Sequence, residues 1–474
     1  MAADAALQHL KEQHPYPERL SQFVSTCKSI PRTALRVNFN RTSIADFRLK
    51  AKQRGWNMTA IPWTENGFWI EHNTDQALGN HIDHLSGLFY LQESTSMLPV
   101  EALFHGHSPK LILDMAAAPG SKTTQLQNHA ENAFIVANDM SSSRVKMLNA
   151  NLIRCGVANY ALLHQDARTF PEQMYGQFDG ILLDAPCGGE GTIRKDPKAW
   201  NNWSPESLKS LSDLQKELIL SAWQLLAPGG RLIYSTCSLS QEENQQVVTH
   251  LMSQHSDEAK LIKLDSLFPE AERVSDNGML HIWPEVFDTE GFFVSVIEKS
   301  ITAKSPSVMD ASTTNKQFNS LSKKQYETVA QYMSQRFGYD LSDNQTHLAV
   351  QETGKQQIVW LKSNLPDSLQ TLRTQRSGVK LCTLFNSRKG LGINLEHEFC
   401  RTHGSEFSRN TLELSDTDVV AYFKGMNIKP NHELTEGEVV LTHQHTPIGI
   451  GKVLKNGQVK NQLPRPLVHD NAWA

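Results

Sequence analysis

Six short apolar runs, separated by segments long enough for helices, constrain the fold of this chain more than any other feature. They are LILDM (111–115), AFIVANDM (133–140), YALLHQDA (160–167), FDGILLDAP (178–186), GGRLIYST (229–236) and GFFVSVIEK (291–299). Strands with so little alternation are apolar on both faces, as in a parallel sheet covered by helices on each side. Residues 109–300 are therefore predicted to form a doubly wound α/β domain. The length of 474 residues leaves room for further units. Residues 1–108 mix a basic helix-like stretch with aromatic runs such as Gly67-Phe68-Trp69-Ile70, and predict a small α/β unit. The Ser/Thr-rich segment 301–317 reads as a linker, and 318–380 as an intermediate α/β region holding one amphipathic segment, LSKKQYETVAQYMSQRF. Residues 381–474 read as a β-rich module with a hairpin turn at Asn456-Gly457.

Composition mainly excludes. Apolar residues at 39% and charged residues at 20% suit a soluble globular chain. No segment approaches the roughly 20 apolar residues that span a bilayer. The N-terminus lacks a basic-then-apolar signal pattern, so a cytoplasmic protein is expected. Six cysteines lie far apart, without metal-ligand spacing, which predicts neither a metal site nor a disulfide framework. The net charge of −4 hides two basic runs: eight Lys and Arg against Asp46 alone between Lys28 and Arg54, and four bases without an acid from Lys452 to Arg465. Such runs are ordinary solvated faces unless the chain acts on a polyanion. Nothing calls for more than a monomer.

The first apolar run leads into Met115-Ala116-Ala117-Ala118-Pro119-Gly120-Ser121-Lys122, small residues ahead of a helix. Such a turn lets a ligand approach the backbone and the free N–H groups of the helix N-terminus. Acids then follow three successive runs: Asp139, Asp166 and Asp184. Each alone is as readily a cap or turn residue. Together, at the carboxyl ends of neighbouring strands, they face one crevice. Asp139 is placed for the two hydroxyls of a ribose, and Asp166 for an adenine amino group. The loop has neither GxGxxG nor GxxxxGK[ST], so a nucleoside without phosphate fits better than a nucleotide. S-adenosylmethionine is the common one.

Two cysteines stand at the same edge, Cys187 in Asp184-Ala185-Pro186-Cys187 and Cys237 after Thr236. A lone cysteine near a strand is usually a small buried apolar residue. A pair at the mouth of a methyl-donor site has a chemical use. Carbon 5 of cytosine is a poor nucleophile until a thiolate adds at carbon 6. Asp184 is placed to hold N3 of the ring and supply its proton. The second thiol suits the later release of the carbon 5 hydrogen. Enzymes that methylate cytosine carbon 5 in DNA attack with a Pro-Cys thiol, which would make Cys187 the nucleophile, but they carry a single catalytic cysteine. Amino methyltransferases stack the aromatic of a (D/N)PP(Y/F) loop on the base, and at that position this chain has Cys187. A non-catalytic RNA-binding assembly factor would need neither thiol.

With DMAAAPGSKT, the three acids, DAPC and STCS in place, residues 30–300 resemble the RNA 5-methylcytosine methyltransferases of the Nol1/Nop2/Sun family. The likeness is to its bacterial members that modify a decoding-region cytosine of 16S ribosomal RNA, and it implies a Rossmann-like catalytic domain. It also implies Cys237 as nucleophile, Cys187 as helper in product release, and S-adenosylmethionine held by Met115 to Lys122, Asp139, Asp166 and Asp184. A different RNA, such as tRNA, is the alternative substrate. Arg194-Lys195-Asp196-Pro197 resembles a segment near the target base, and Gly87 to Met97 the family's lead-in to the catalytic domain. The C-terminal region resembles a PUA-like RNA-binding module. On this reading 16S RNA or the small ribosomal subunit is the partner, and both basic runs are expected to contact phosphates.

Overall fold

The computed structural model describes residues 2–303 except 131, and 318–474 except 355, 364, 367, 368, 370, 371, 373, 388 and 389. From residue 304 onward the expected linker lies outside the described residues. The largest sheet contains strands β1 (Leu111–Asp114), β2 (Phe134–Asn138), β3 (Tyr160–Leu163), β4 (Phe178–Asp184), β5 (Leu226–Thr236), β6 (Met279–Ile282) and β7 (Phe292–Lys299). Their order is 3-2-1-4-5-7-6. Strands β1 to β5 are parallel. Helices α1 (Ser121–His129), α2 (Ser142–Cys155), α3 (Pro205–Leu225) and α4 (Gln245–Gln254) belong to the same domain.

All six apolar runs are strands, and alternate side chains serve opposite faces of the sheet, as pleating requires. Ile112, Ile135, Leu162, Leu182 and Ile233 enter one core. Their neighbours Leu113, Val136, Leu163, Leu183 and Leu232 enter the other. One expectation needs correction: Phe292–Lys299 runs antiparallel to β5. The chain enters it from β6 through a short connection rather than a crossover helix, so the direction must reverse. Because β7 is nonetheless buried on both faces, its sequence looks like that of its parallel neighbours.

The helices start where local chemistry dictates. Ser204 caps α3 by accepting from Ser207 N at 3.1 Å, with Pro205 at the first helical position. Gly120, at φ +105°, turns the chain into α1, and a Cβ there would stand 2.9 Å from Leu148 Cδ1.

Ahead of this domain, Asn57–Ala60, Gly67–Glu71, Ala34–Val37 and Phe89–Leu91 form an antiparallel sheet in that spatial order. Helix Leu98–Phe104 packs on β5 and β7, so the catalytic layer begins before residue 109. Past residue 318 a five-stranded sheet runs from Asn319 to Leu395, flanked by helix Lys323–Phe337. The expected division after residue 380 cuts its strand Val379–Ser387, which is paired on both sides. Sheet continuity therefore moves the start of the last unit beyond Leu395. That unit contains Thr411–Glu413, Gly437–His443, Thr446–Val453 and Val459–Asn461, with Gly457 in the turn at φ +78°. Gln444 and His445, both at positive φ, make the tighter reversal with no glycine to announce it.

The units close onto one another. Trp473 donates from Nε1 to Ala77 O at 3.0 Å and packs its ring on His81. Arg401, 2% exposed, donates to the carbonyls of Leu85, Ser86, Arg154 and Ile448. Arg401→Ala would leave those acceptors buried and unmatched, and is expected to cost about 3 kcal/mol or more in thermal unfolding. No helix among the described residues is long and apolar enough to cross a membrane.

Candidate active site

Direction reverses in strand order between β1 and β4, and at such a switch point the loops diverge to leave a crevice. A cleft of about 960 Å³ lies there, walled by Met115, Ala116, Ala118, Asp139, Asp166 and Asp184, with Cys187 and Cys237 at its edge. The three acids and two thiols singled out by sequence thus share one cavity. Ala117, Pro119, Gly120, Ser121 and Lys122 do not line it. Two of them shape the turn: Ala117 N donates to Asn138 O at 2.7 Å, and Pro119 O accepts from Asn151.

Asp139 is 3% exposed and accepts from Ser141 N at 2.9 Å and Ala118 N at 3.3 Å. Both oxygens of Asp166 are engaged by Arg168, with Nη2 at 2.7 Å, and this pairing holds the carboxyl below the usual carboxylate range. At the bottom of the turn Asp114 accepts from Thr123 Oγ1 at 2.7 Å, and burial pushes its carboxyl up to about 7. Sequence reading missed Asn138. Its amide donates to Met115 O and Gln165 O and accepts from Gln165 N, tying three strand ends together. The only hint was an amide directly before Asp139 at a strand end.

Lys122 belongs to Asp184. Its ammonium lies 2.7 Å from Asp184 Oδ2 and 2.8 Å from Ser96 Oγ, while Ser235 Oγ donates to Asp184 Oδ1 at 2.7 Å. Lys122, expected at the cofactor, thus forms an ion pair at the thiol end of the cleft. An unbranched, uncharged replacement separates the two roles. Lys122→Met is expected to lower turnover about 100-fold while changing affinity for the expected cofactor, S-adenosylmethionine, less than a few-fold, as read by titration calorimetry.

Cys187 and Cys237 face each other with their sulfurs 3.2 Å apart. Hydrogen bonding to Cys237, burial and the nearby negative charges of Glu243 and Asp184 all push the Cys187 thiol upward. The other cysteines, Cys27, Cys155, Cys382 and Cys400, are buried elsewhere. Arg194 is engaged within the fold. Its guanidinium is held by Ser29, Ile30, Asp288 and Thr289, so it fastens the N-terminal segment to the loop before β7. Among the described residues, no cluster of His, Cys, Asp or Glu has the arrangement to hold a metal ion.

The sheet order and the switch-point cleft define a Rossmann-like α/β fold, and the comparisons make this specific. Family models match three stretches: 16S rRNA methyltransferase RsmB/F over residues 102–298, the N-terminal domain of 16S rRNA methyltransferase RsmF over 8–94, and the methyltransferase RsmF PUA domain over 409–469. The chain belongs to the RsmB/F family of methyltransferases. Among curated relatives, the ribosomal RNA small subunit methyltransferase F of Vibrio cholerae is 41% identical over 96% of this chain and 95% of its own. That of Escherichia coli is 39% identical over 98% and 96%. A methyltransferase homolog from Pyrococcus horikoshii is similar in structure, with a TM-score of 0.52 and 30% identity, covering 60% of this chain and 92% of that one.

Proposed function

We propose that this chain transfers a methyl group from S-adenosylmethionine to carbon 5 of one decoding-region cytosine in 16S ribosomal RNA, through a covalent bond between Cys237 and carbon 6. The observation that carries this reading is the pair of sulfurs 3.2 Å apart beside the cleft that holds Asp139 and Asp184. The choice of 16S RNA rests on the relatives' names.

The cleft fits the cofactor: small side chains at Ala116 and Ala118 open the floor, and the nearly buried Asp139 carboxylate suits two ribose hydroxyls. Asp166 meets the adenine amino group once Arg168 yields one of its oxygens. When bound, S-adenosylmethionine supplies the electrophilic methyl group.

The remaining chemistry is the chain's own. Cys237 thiolate adds to carbon 6, and the electron pair of the 5,6 double bond moves toward carbon 5 and the ring. The Lys122–Asp184 pair holds N3 and supplies the proton that neutralises charge there. Once carbon 5 carries the methyl group, its hydrogen leaves as a proton to Cys187, which has first given up its own thiol proton to water, and the proton at N3 returns to the Lys122–Asp184 pair. Cys237 then departs from carbon 6 and the double bond re-forms. The base must be unstacked to reach the thiols.

The basic runs serve unequally. Lys452, Lys455, Lys460 and Arg465 are exposed and suit RNA phosphates. In the N-terminal run Arg36 is buried on Gln92, Asn128 and Thr124, Arg41 reaches Arg401 O, and Arg54 pairs with Asp83. Those three hold the fold rather than phosphate.

Incubation with methyl-labelled cofactor tests the whole reading, using small subunits, naked 16S RNA and tRNA side by side. One labelled 16S cytosine is expected. Label in tRNA alone would overturn the substrate.

A further inference from the structure

Two buried carboxylates lie under the cysteine loop, and the reaction above uses neither. Glu243 is fully buried and accepts from Gly188 N with both oxygens, at 2.9 and 3.2 Å. Gln215, also fully buried, donates to Glu243 Oε2 at 2.6 Å and to Pro186 O at 2.9 Å. The residues on each side of Cys187 are thus fastened to one carboxylate–amide unit, whose members come from α3 and the turn before α4. Glu190 stands beside it, with Ser238 and Ser240 donating to its two oxygens. A Cβ on Gly188 would stand 2.9 Å from Glu243 Oε1 and 3.2 Å from Glu190 Oε1, so the loop admits no side chain there.

We propose that Glu243, braced by Gln215, is the positioning residue for Cys187: it fixes the loop that aims the thiol at Cys237 and sets a carboxylate on that loop whose charge governs when the thiol can act as a base. The release role of Cys187 comes from the function proposed above; the charge effect of Glu243 stands apart from it. The groups around Cys187 are Cys237, Asp184 with Lys122 behind it, Glu243, and the Tyr234 ring. Among them Glu243 combines a full charge with a direct hold on the loop. Burial and the neighbouring Glu190 push the Glu243 carboxyl up to about 7, so its charge changes across the working pH range.

The consequence is a pH signature that a merely structural brace would not give. In a Cys237→Ala chain the thiol left at the site is Cys187, and its alkylation by iodoacetamide is followed against pH by mass spectrometry of the Cys187 peptide. Adding Glu243→Gln keeps an oxygen for Gly188 N and removes the charge. Alkylation at pH 8 is expected to be about tenfold faster, the midpoint having moved down by about one unit. The two profiles should converge on the acid side of pH 7, where Glu243 of the parent is neutral. If Glu243→Gln fails to fold, Gln215→Glu adds a charge at the same place and should move the midpoint up. Unchanged midpoints, or a rate altered equally at every pH, would overturn the proposal. A second arm follows decay of the covalent RNA complex in the Glu243→Gln enzyme with both cysteines intact, where release should extend to lower pH. A shifted alkylation midpoint with unchanged complex decay would keep the charge effect and refute the release role of Cys187 instead.

Discussion

Cys237→Ala should reduce methyl transfer by on the order of 10⁴-fold or more, the scale on which removal of a covalent nucleophile acts. The same chain should form no adduct with RNA containing 5-fluorocytosine, in which the carbon 5 substituent cannot leave as a proton and the enzyme is trapped. The geometry explains why so large an effect is expected at Cys237 although the sulfurs are only 3.2 Å apart. Cys187 is pushed toward its protonated form by its hydrogen bond to Cys237, by burial, and by Glu243 and Asp184. A thiol held that way is a poor initial nucleophile. Cofactor binding should survive, because Cys237 is not part of the small-residue loop from Met115 to Ala118. An adduct still formed by Cys237→Ala would make Cys187 the attacker, the order found in DNA enzymes.

Much of this site could be read before any coordinates, for a physical reason. Parallel strands buried on both faces leave near-continuous apolar runs, and residues at their carboxyl ends must converge. Asp139, Asp166, Asp184, Cys187 and Cys237 therefore fall into one cleft from sequence position alone. What stayed hidden depends on pairings between distant segments. Nothing around Phe292–Lys299 reveals its direction, because burial on both faces erases the difference. Lys122 looks like a loop cation in sequence, and only the fold brings it to Asp184, 62 residues away. Arg36, Arg41 and Arg54 read as a charged surface, yet each guanidinium ends on an internal acceptor. Glu243 sits in Gln241-Glu242-Glu243-Asn244, which has the composition of a solvated turn; that its carboxylate lies under Gly188 is a tertiary fact.

Cys187→Ala is expected to have a different signature, accumulation rather than silence. Addition of Cys237 and methylation need no group from Cys187, so both should proceed on ordinary RNA. The step that then fails is loss of the carbon 5 proton. Until that proton leaves, carbon 5 is saturated, and Cys237 cannot depart with re-formation of the 5,6 double bond. A stable protein–RNA complex should appear as a retarded band on a denaturing gel, carrying label from the methyl donor, while free methylated product falls at least about 100-fold. Label in the band matters, because it places the block after methyl transfer. An unlabelled band would put Cys187 at the methylation step. A chain that turns over normally would show that water or the Lys122–Asp184 pair removes the proton, and Cys187 would then be left as a neighbour whose hydrogen bond tunes Cys237. The 3.2 Å contact is compatible with either duty in the free protein, but only a base for the carbon 5 proton predicts the labelled complex.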